Sequence, residues 1–158
     1  MNTRNQSGRN QPGGVGTSRS ALEARLRQVS RDLVTLNREL ASQMILLSEQ
    51  TDDPALLMKA VEALRKVQVS VSGGDDPRET ADVHHALARA LYALGRRRGD
   101  REALSASIDA FRAAITLASL LGDDDLRLDI RAEYDIARAS LSNAPKMSAG
   151  DISALRVA

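Results

Sequence analysis

From Ser18 onward, leucines and valines recur at intervals of three and four with charged and small polar residues between them, a spacing that gathers apolar side chains on one helix face. In the first run, Leu22, Leu26, Val29, Leu33, Leu36 and Leu40 are spaced 4, 3, 4, 3 and 4, a heptad seam. The pattern predicts a helix from Ser18 or Ser20, either a suitable N-cap, to about Glu49. Thr51-Asp52-Asp53-Pro54 ends it, and Asp53 followed by Pro54 opens a second helix to about Val71 with Leu57, Val61, Leu64 and Val67 on one face. A turn from Ser72 to Pro77 follows, with Asp76 as cap, and a third helix runs to about Arg97 with Val83, Leu87, Leu91 and Leu94 inward. Asp100 caps a fourth helix to about Leu121, through Leu104, Ile108, Phe111 and Ile115. Past Gly122, Asp123-Asp124-Asp125 opens a fifth, to about Leu141, with Ile130, Ile136 and Ala137 facing the rest. The three aspartates favour the helix dipole and lack the central Gly and late Glu of a calcium loop, so they are read as a cap and not a metal site.

The pattern also repeats, in register, at a spacing of 47 residues. Leu40-Ala41, Met44, Leu47, Asp53, Leu57, Val61 and Leu64 are answered by Leu87-Ala88, Leu91, Leu94, Asp100, Leu104, Ile108 and Phe111. A period of about 20 to 50 residues marks stacked units that bury one another's apolar faces, and such arrays bind partners more often than they catalyse. Leu40, Leu64, Leu87, Leu91, Leu94, Ile108, Phe111 and Ile115 are the expected core.

Composition sharpens the fold class. The 158 residues suffice for one domain with a real core. One Phe and two Tyr are the whole aromatic content, so Leu and Ala must fill that core, which suits close-packed helices and not a β-sandwich. The expectation is an all-α stack of antiparallel helix hairpins of about five helices, with a helical extension at 18–32, a first repeat at 33–71, a second at 76–121 and a capping helix at 124–142. Residues 1–17, rich in Asn, Gln, Gly and Ser, are expected to be a flexible tail, and 143–158 a loose one with a single turn of helix near Ile152 to Arg156. The first 20 residues have no apolar core of a secretory signal, and no run approaches the length of unbroken apolar sequence that a membrane span needs. The expected location is therefore the cytoplasm. Without cysteine there is neither disulfide nor thiolate metal site.

The stretch from Ala86 to Gly95, then Gly99-Asp100, then Ser107 to Ile115, resembles a tetratricopeptide repeat of the lengthened bacterial variety with a Gly-Asp turn between its helices. Ala88, Ser107 and Ala114 match the family's small residues at helix contacts, and Phe111 its aromatic on the second helix. The first copy matches at Ala41, Ala60 and Leu64, with Ser48 where the second has Gly95 and Val67 where it has Ala114. A partial third copy, offset by 49, sets Ile136-Ala137-Arg138-Ala139 against Leu87-Ala88-Arg89-Ala90. The family's early Trp or Tyr on the first helix is missing, as is the asparagine clamp of the members that bind chaperone tails.

This resemblance implies that the first helices of successive repeats line a concave surface where peptides lie. Opposite the core positions of the third helix stand Asp82, His85, Arg89 and Tyr92, with Arg38, Ser42 and Ile45 equivalent on the first helix and Arg131, Tyr134 and Arg138 on the fifth. One arginine from each helix, with tyrosines between them, would suit an acidic or carboxylate-terminated peptide. The same spacing is also what a solvated helix face shows.

A second reading uses the seam at Leu22, Leu26, Val29, Leu33 and Leu36 for self-association, although docking on the chain's own helices would bury it equally well. His84-His85 point about 100° apart on a helix, with no third ligand at a useful spacing, so no metal is expected. Arg96-Arg97-Arg98 with Arg101 sits at a helix C-terminus, where it complements the dipole. A formal charge of +1 and few aromatics argue against nucleic acid. The absence of a phosphate loop or a nucleophile with a base nearby argues against an enzyme and against a cofactor. The expected function is protein–protein interaction, as a small adaptor or scaffold.

Overall fold

The computed structural model describes residues 18–72 and 76–144. The tails expected at 1–17 and beyond 144, and part of the turn before Asp76, lie outside the described residues. The chain forms α1 (Arg19–Thr51), α2 (Pro54–Val71), α3 (Pro77–Arg98), α4 (Arg101–Leu121) and α5 (Asp124–Asn143). No strand occurs among the described residues, so the fold is all-α, as the periodicity indicates.

Short-range chemistry sets the boundaries. Ser18, and not Ser20, caps α1 by accepting from the Ala21 amide at 3.3 Å. Aspartates cap the other four: Asp53 accepts from Ala55 at 2.8 Å, Asp76 from Arg78 at 2.9 Å, Asp100 from Ala103 at 3.0 Å and Asp123 from Leu126 at 3.0 Å. Three helices end on a left-handed residue: Asp52 at φ 55°, Gly99 at φ 62° and Gly122 at φ 68°. Such tight turns fold each helix back on the one before it.

Helices adjacent in sequence pack together, and α3 also touches α1 and α5. His85 meets Glu133 and Tyr92 meets Ser140, both 48 residues apart, so α3 and α5 run in the same direction. Arg38 to Asp82 and Ser48 to Arg97 align α1 with α3 in the same way. The odd-numbered helices thus lie side by side, with α2 and α4 between and behind them.

The sequence repeat becomes a repeat of burial. Val34, Ala41, Ser48, Leu57, Ala60, Val61, Leu64, Val67 and Val71 are buried, and so is the residue 47 positions after each, from Ala81 and Ala88 to Ala114 and Ala118. An offset of 49 carries Ala81 and Ala88 onto buried Ile130 and Ala137 of α5. Two of these positions are serines, and each satisfies its buried hydroxyl on its own helix: Ser48 donates to the Ile45 carbonyl at 2.6 Å and Ser107 to that of Leu104 at 2.7 Å. At Gly95 the α3 backbone passes so close to α4 that an added Cβ would lie 2.9 Å from the Leu104 backbone nitrogen.

Three expected core residues are not buried. Leu40 is 49% exposed and Ile136 58%, and Ile115 is half-buried. Leu40 corresponds to Leu87, but α3 lies between α2 and α4 whereas α1 is the outermost of the described helices, so none of them covers the face that α2 would cover one repeat later. Among the described residues the seam is not docked on the chain itself: Leu22, Leu26, Val29, Leu33 and Leu36 all stay exposed.

One helix, α4, is long and apolar enough to cross a membrane by length and composition, contrary to the expectation that no segment approaches this. Here its apolar face, with Leu104, Ile108 and Phe111, is buried in the stack.

Two substitutions test this packing. Phe111, 1% exposed, is the aromatic filling the centre, and Phe111→Ala is expected to cost about 3–5 kcal/mol in urea denaturation. A loss under about 1 kcal/mol would place that ring outside the core. Gly95→Ala gains helix propensity of about 1 kcal/mol but drives a methyl into α4, so a net loss of about 1–3 kcal/mol is expected. A neutral or stabilising result would show that α3 and α4 can separate freely.

Candidate binding groove

On α3 the stripe Asp82, His85, Arg89 and Tyr92 lies on the side that meets α1 and α5, but most of it is engaged. Asp82 takes Arg38 of α1 at 3.4 Å and Arg78 of its own helix at 3.8 Å, and Arg78 also reaches Asp123, the cap of α5. Arg38 and Asp82 therefore belong to a chain of ion pairs that ties three helices together at one end. Such partly exposed pairs contribute about 0–1 kcal/mol each, so they set register more than stability.

Further along α3, His85 donates from Nε2 to the Glu133 carboxylate at 3.2 Å and tilts against the Phe111 ring, 6.1 Å between centroids. Arg89 approaches the same carboxylate at 3.6 Å with its side chain still 61% exposed. The hydrogen bond from His85, with the charges of His85 and Arg89, outweighs partial burial and holds the Glu133 carboxyl below its ordinary range. Tyr92 shares a hydrogen bond with Ser140 at 3.2 Å, and Arg96 lies over its ring, 5.8 Å from the centroid.

The two histidines diverge as their adjacency requires. His84 turns to Gln68 of α2 at 3.3 Å, and burial lowers its pKa. No cluster that could hold a metal occurs among the described residues.

The α5 residues expected in the groove do not reach it. Glu133 and Ser140 meet α3, and Ile136 shares their side of the helix. Tyr134 lies instead against Arg112 of α4, whose pKa is raised by the Tyr134 hydrogen bond and charge. Arg131 and Arg138, three and four residues to either side, follow Tyr134 onto that face and are exposed. The stripe 85, 89 and 92 on α3 points along the stack toward the next helix of the same kind. Residues 131, 134 and 138 repeat that orientation on α5, the last of the described helices.

A cavity of about 470 Å³ lies open between α1, α3 and α5, smaller than one of about 660 Å³ between α2, α3 and α4. Ile45 and Ile136 face it from either side, Arg89, Tyr92 and Arg96 from α3, and Glu49 and Glu133 from the rim. Of the α1 residues expected here, Ile45 lines it, whereas Ser42 is exposed outside it and Arg38 is held by Asp82.

Arg96 and Arg97 also border this groove, a role the sequence did not suggest. Arg97 donates to the Ser48 carbonyl and pairs with Asp52 at 3.2 Å, and Arg101 donates to the Leu141 and Ala144 carbonyls at 3.0 and 3.1 Å. The basic cluster thus closes the C-terminal ends of α1 and α5, whose last carbonyls lack partners within their own helices. The signal was present as arginines beyond what the end of α3 needed, but their targets lie 40 to 49 residues away.

No protein-family model matches the chain, and neither the curated proteins nor the solved structures include a match.

Because the Glu133 pKa is depressed in the folded protein, its stabilising effect is present above the ordinary carboxylate value of 4.5 and is lost as pH falls through its lowered value. Glu133→Gln is therefore expected to be less stable than the parent near neutral pH, with the difference closing under acid, as followed by urea denaturation at several pH values. A difference that stays constant to about pH 3 would show that ionisation of Glu133 contributes nothing.

Proposed function

We propose that the chain is a protein-interaction module that takes an acidic, carboxylate-bearing peptide in the groove between α1, α3 and α5. The observation that carries this reading is the open cavity in which the exposed guanidinium of Arg89 and that of Arg96 flank Tyr92, with Ile45 and Ile136 supplying apolar walls. Its volume, about 470 Å³, is within the range of ligand clefts, and guanidinium pairs carboxylates through two parallel hydrogen bonds. The resemblance of the repeats to tetratricopeptide units, which present peptides to the first helices of successive repeats, points the same way. The expected ligand combines a carboxylate with a neighbouring aliphatic side chain, and the arginines contributing to the site come mainly from α3 and not one from each helix.

Fluorescence polarisation with a labelled peptide of alternating Glu and Leu ending in a free carboxylate tests this, against an amidated Gln-Leu counterpart. The acidic peptide is expected to bind, and Arg89→Glu with Arg96→Glu to weaken binding at least about tenfold with the helical circular dichroism unchanged. Equal binding of both peptides, or none, or no effect of the two reversals, would overturn the proposal.

A further inference from the structure

The longest apolar feature outside the core is the seam on α1. Leu22, Leu26, Val29, Leu33, Leu36 and Leu40 are 54%, 71%, 47%, 54%, 65% and 49% exposed. At 100° per residue they fall within about 80° of one another, centred about 100° round the helix from the buried line of Val34, Ala41 and Ser48. The seam is therefore a separate face and not the edge of the packed one. Its narrowness is that of a two-helix contact, where a helix lying on a lipid surface shows a broader apolar face.

We propose that this face pairs with its counterpart on a second copy of the chain, with the two α1 helices antiparallel and their two-fold axis near Arg31. The inference stands apart from the groove reading. Two observations fix the direction and register.

The first comes from the repeat. Leu40, Met44 and Leu47 correspond to Leu87, Leu91 and Leu94, which are buried on α3. There Leu91 and Leu94 border Met58 and Val61 of α2, a helix that folds back antiparallel to α3. On α1 Leu40 and Leu47 of the same face stay 49% and 46% exposed, with Met44 half-buried, so the occupant that face is shaped for is another antiparallel helix.

The second comes from the spacing. In one antiparallel register all six seam residues meet an apolar partner: Leu22 opposite Leu40, Leu26 opposite Leu36, and Val29 opposite Leu33, each twice by symmetry. That register also sets Arg25 of each copy beside Glu39 of the other, flanking the seam on both sides of the axis. A parallel pair would instead put Arg25 beside Ser30, Asp32 beside Asn37 and Glu39 beside Met44, with no opposite charges matched. The antiparallel register brings the two Asp32 side chains near the axis, and each already accepts a hydrogen bond from Gln28 of its own helix at 2.9 Å.

Residues 19–33 extend past the part of α1 that α2 covers, and all are exposed. Each such arm would lie along the seam of the other copy's body, and the bodies would sit at opposite ends. Covering six aliphatic residues from each copy removes on the order of 1,000 Å² of surface before flanking residues count, enough for a specific contact. The Ile45 positions, and with them the two grooves, would stand about 40 Å apart along the helix axis.

Sedimentation equilibrium of the full chain over a dilution series reads the mass, which is 17.0 kDa for one copy. A dimer is expected, and Leu26→Asp with Leu33→Asp is expected to return it to the monomer mass, with helical circular dichroism retained, through at least about a hundredfold rise in dissociation constant. Arg25→Glu should weaken the dimer, and Arg25→Glu with Glu39→Arg should restore it. The chain has no cysteine, so Asp32→Cys reports direction cleanly: oxidation should link two copies across the axis. A monomer at all concentrations, a dimer indifferent to the leucine substitutions, or a dimer without the Asp32→Cys link or charge-swap rescue would overturn the antiparallel pairing. So would a monomer that co-sediments with anionic phosphatidylserine vesicles through the same leucines, which would make the face a membrane surface.

Discussion

At Gly95 the backbones of α3 and α4 come close enough that a single methyl group would meet the Leu104 amide, and much of the architecture depends on approaches of this kind. Ala41, Ala88 and Ala137 on the odd-numbered helices, and Ala60, Ser107 and Ala114 on the even ones, are fully buried. Each is small, and small residues let helix axes draw together until leucines of one helix fill the gaps of the next. A core with one aromatic ring is possible only because of this spacing; helices held further apart would leave voids that Leu and Val could not fill. The buried serines fit the same constraint, because a hydroxyl satisfied by its own helix costs no partner across the interface.

The helix boundaries and most core positions were legible in the sequence because their causes are local or repeated. Asp53, Asp76, Asp100 and Asp123 announce helix starts through hydrogen bonds only two or three residues long, and Gly99 and Gly122 announce ends through backbone freedom. The internal repeat then supplied what a single helix cannot: which of its faces meets a neighbour. Leu40 failed because a repeat transfers a residue's position but not its surroundings, and no described helix packs on that face of α1.

The groove was less legible, and for a related reason. Residues 38, 85 and 134 are equivalent within their repeats, yet they meet different things. Arg38 finds Asp82 and His85 finds Glu133, each on the following odd-numbered helix, whereas Tyr134, on the last described helix, turns to Arg112 of α4. Treating the three as one lining confuses equivalence with convergence. Glu133 and Ile136, which do face α3 and the cavity, sit one or two positions round the helix from the expected residues. Arg97 and Arg101 could not be assigned from sequence at all, since their partners are backbone carbonyls, which leave no trace in residue identity.

A stack of repeats has two ends, and each must present something to its surroundings. The α5 end presents Arg131, Asp135 and Arg138, charged and exposed, with a single exposed leucine, Leu128, beside them. The α1 end presents aliphatic side chains from Leu22 to Leu40, on a helix that continues about 20 Å beyond the part that α2 covers. An isolated end would need neither the extra length nor the apolar character. Propensity alone does not explain them, because a single exposed helix draws little stability from leucines that contact nothing. A second antiparallel α1 would supply the missing contact and use the extra length. It would also make a module with one groove into one with two, rigidly spaced, so that a partner carrying two acidic segments at a matching separation would bind far more tightly than either groove could hold it alone.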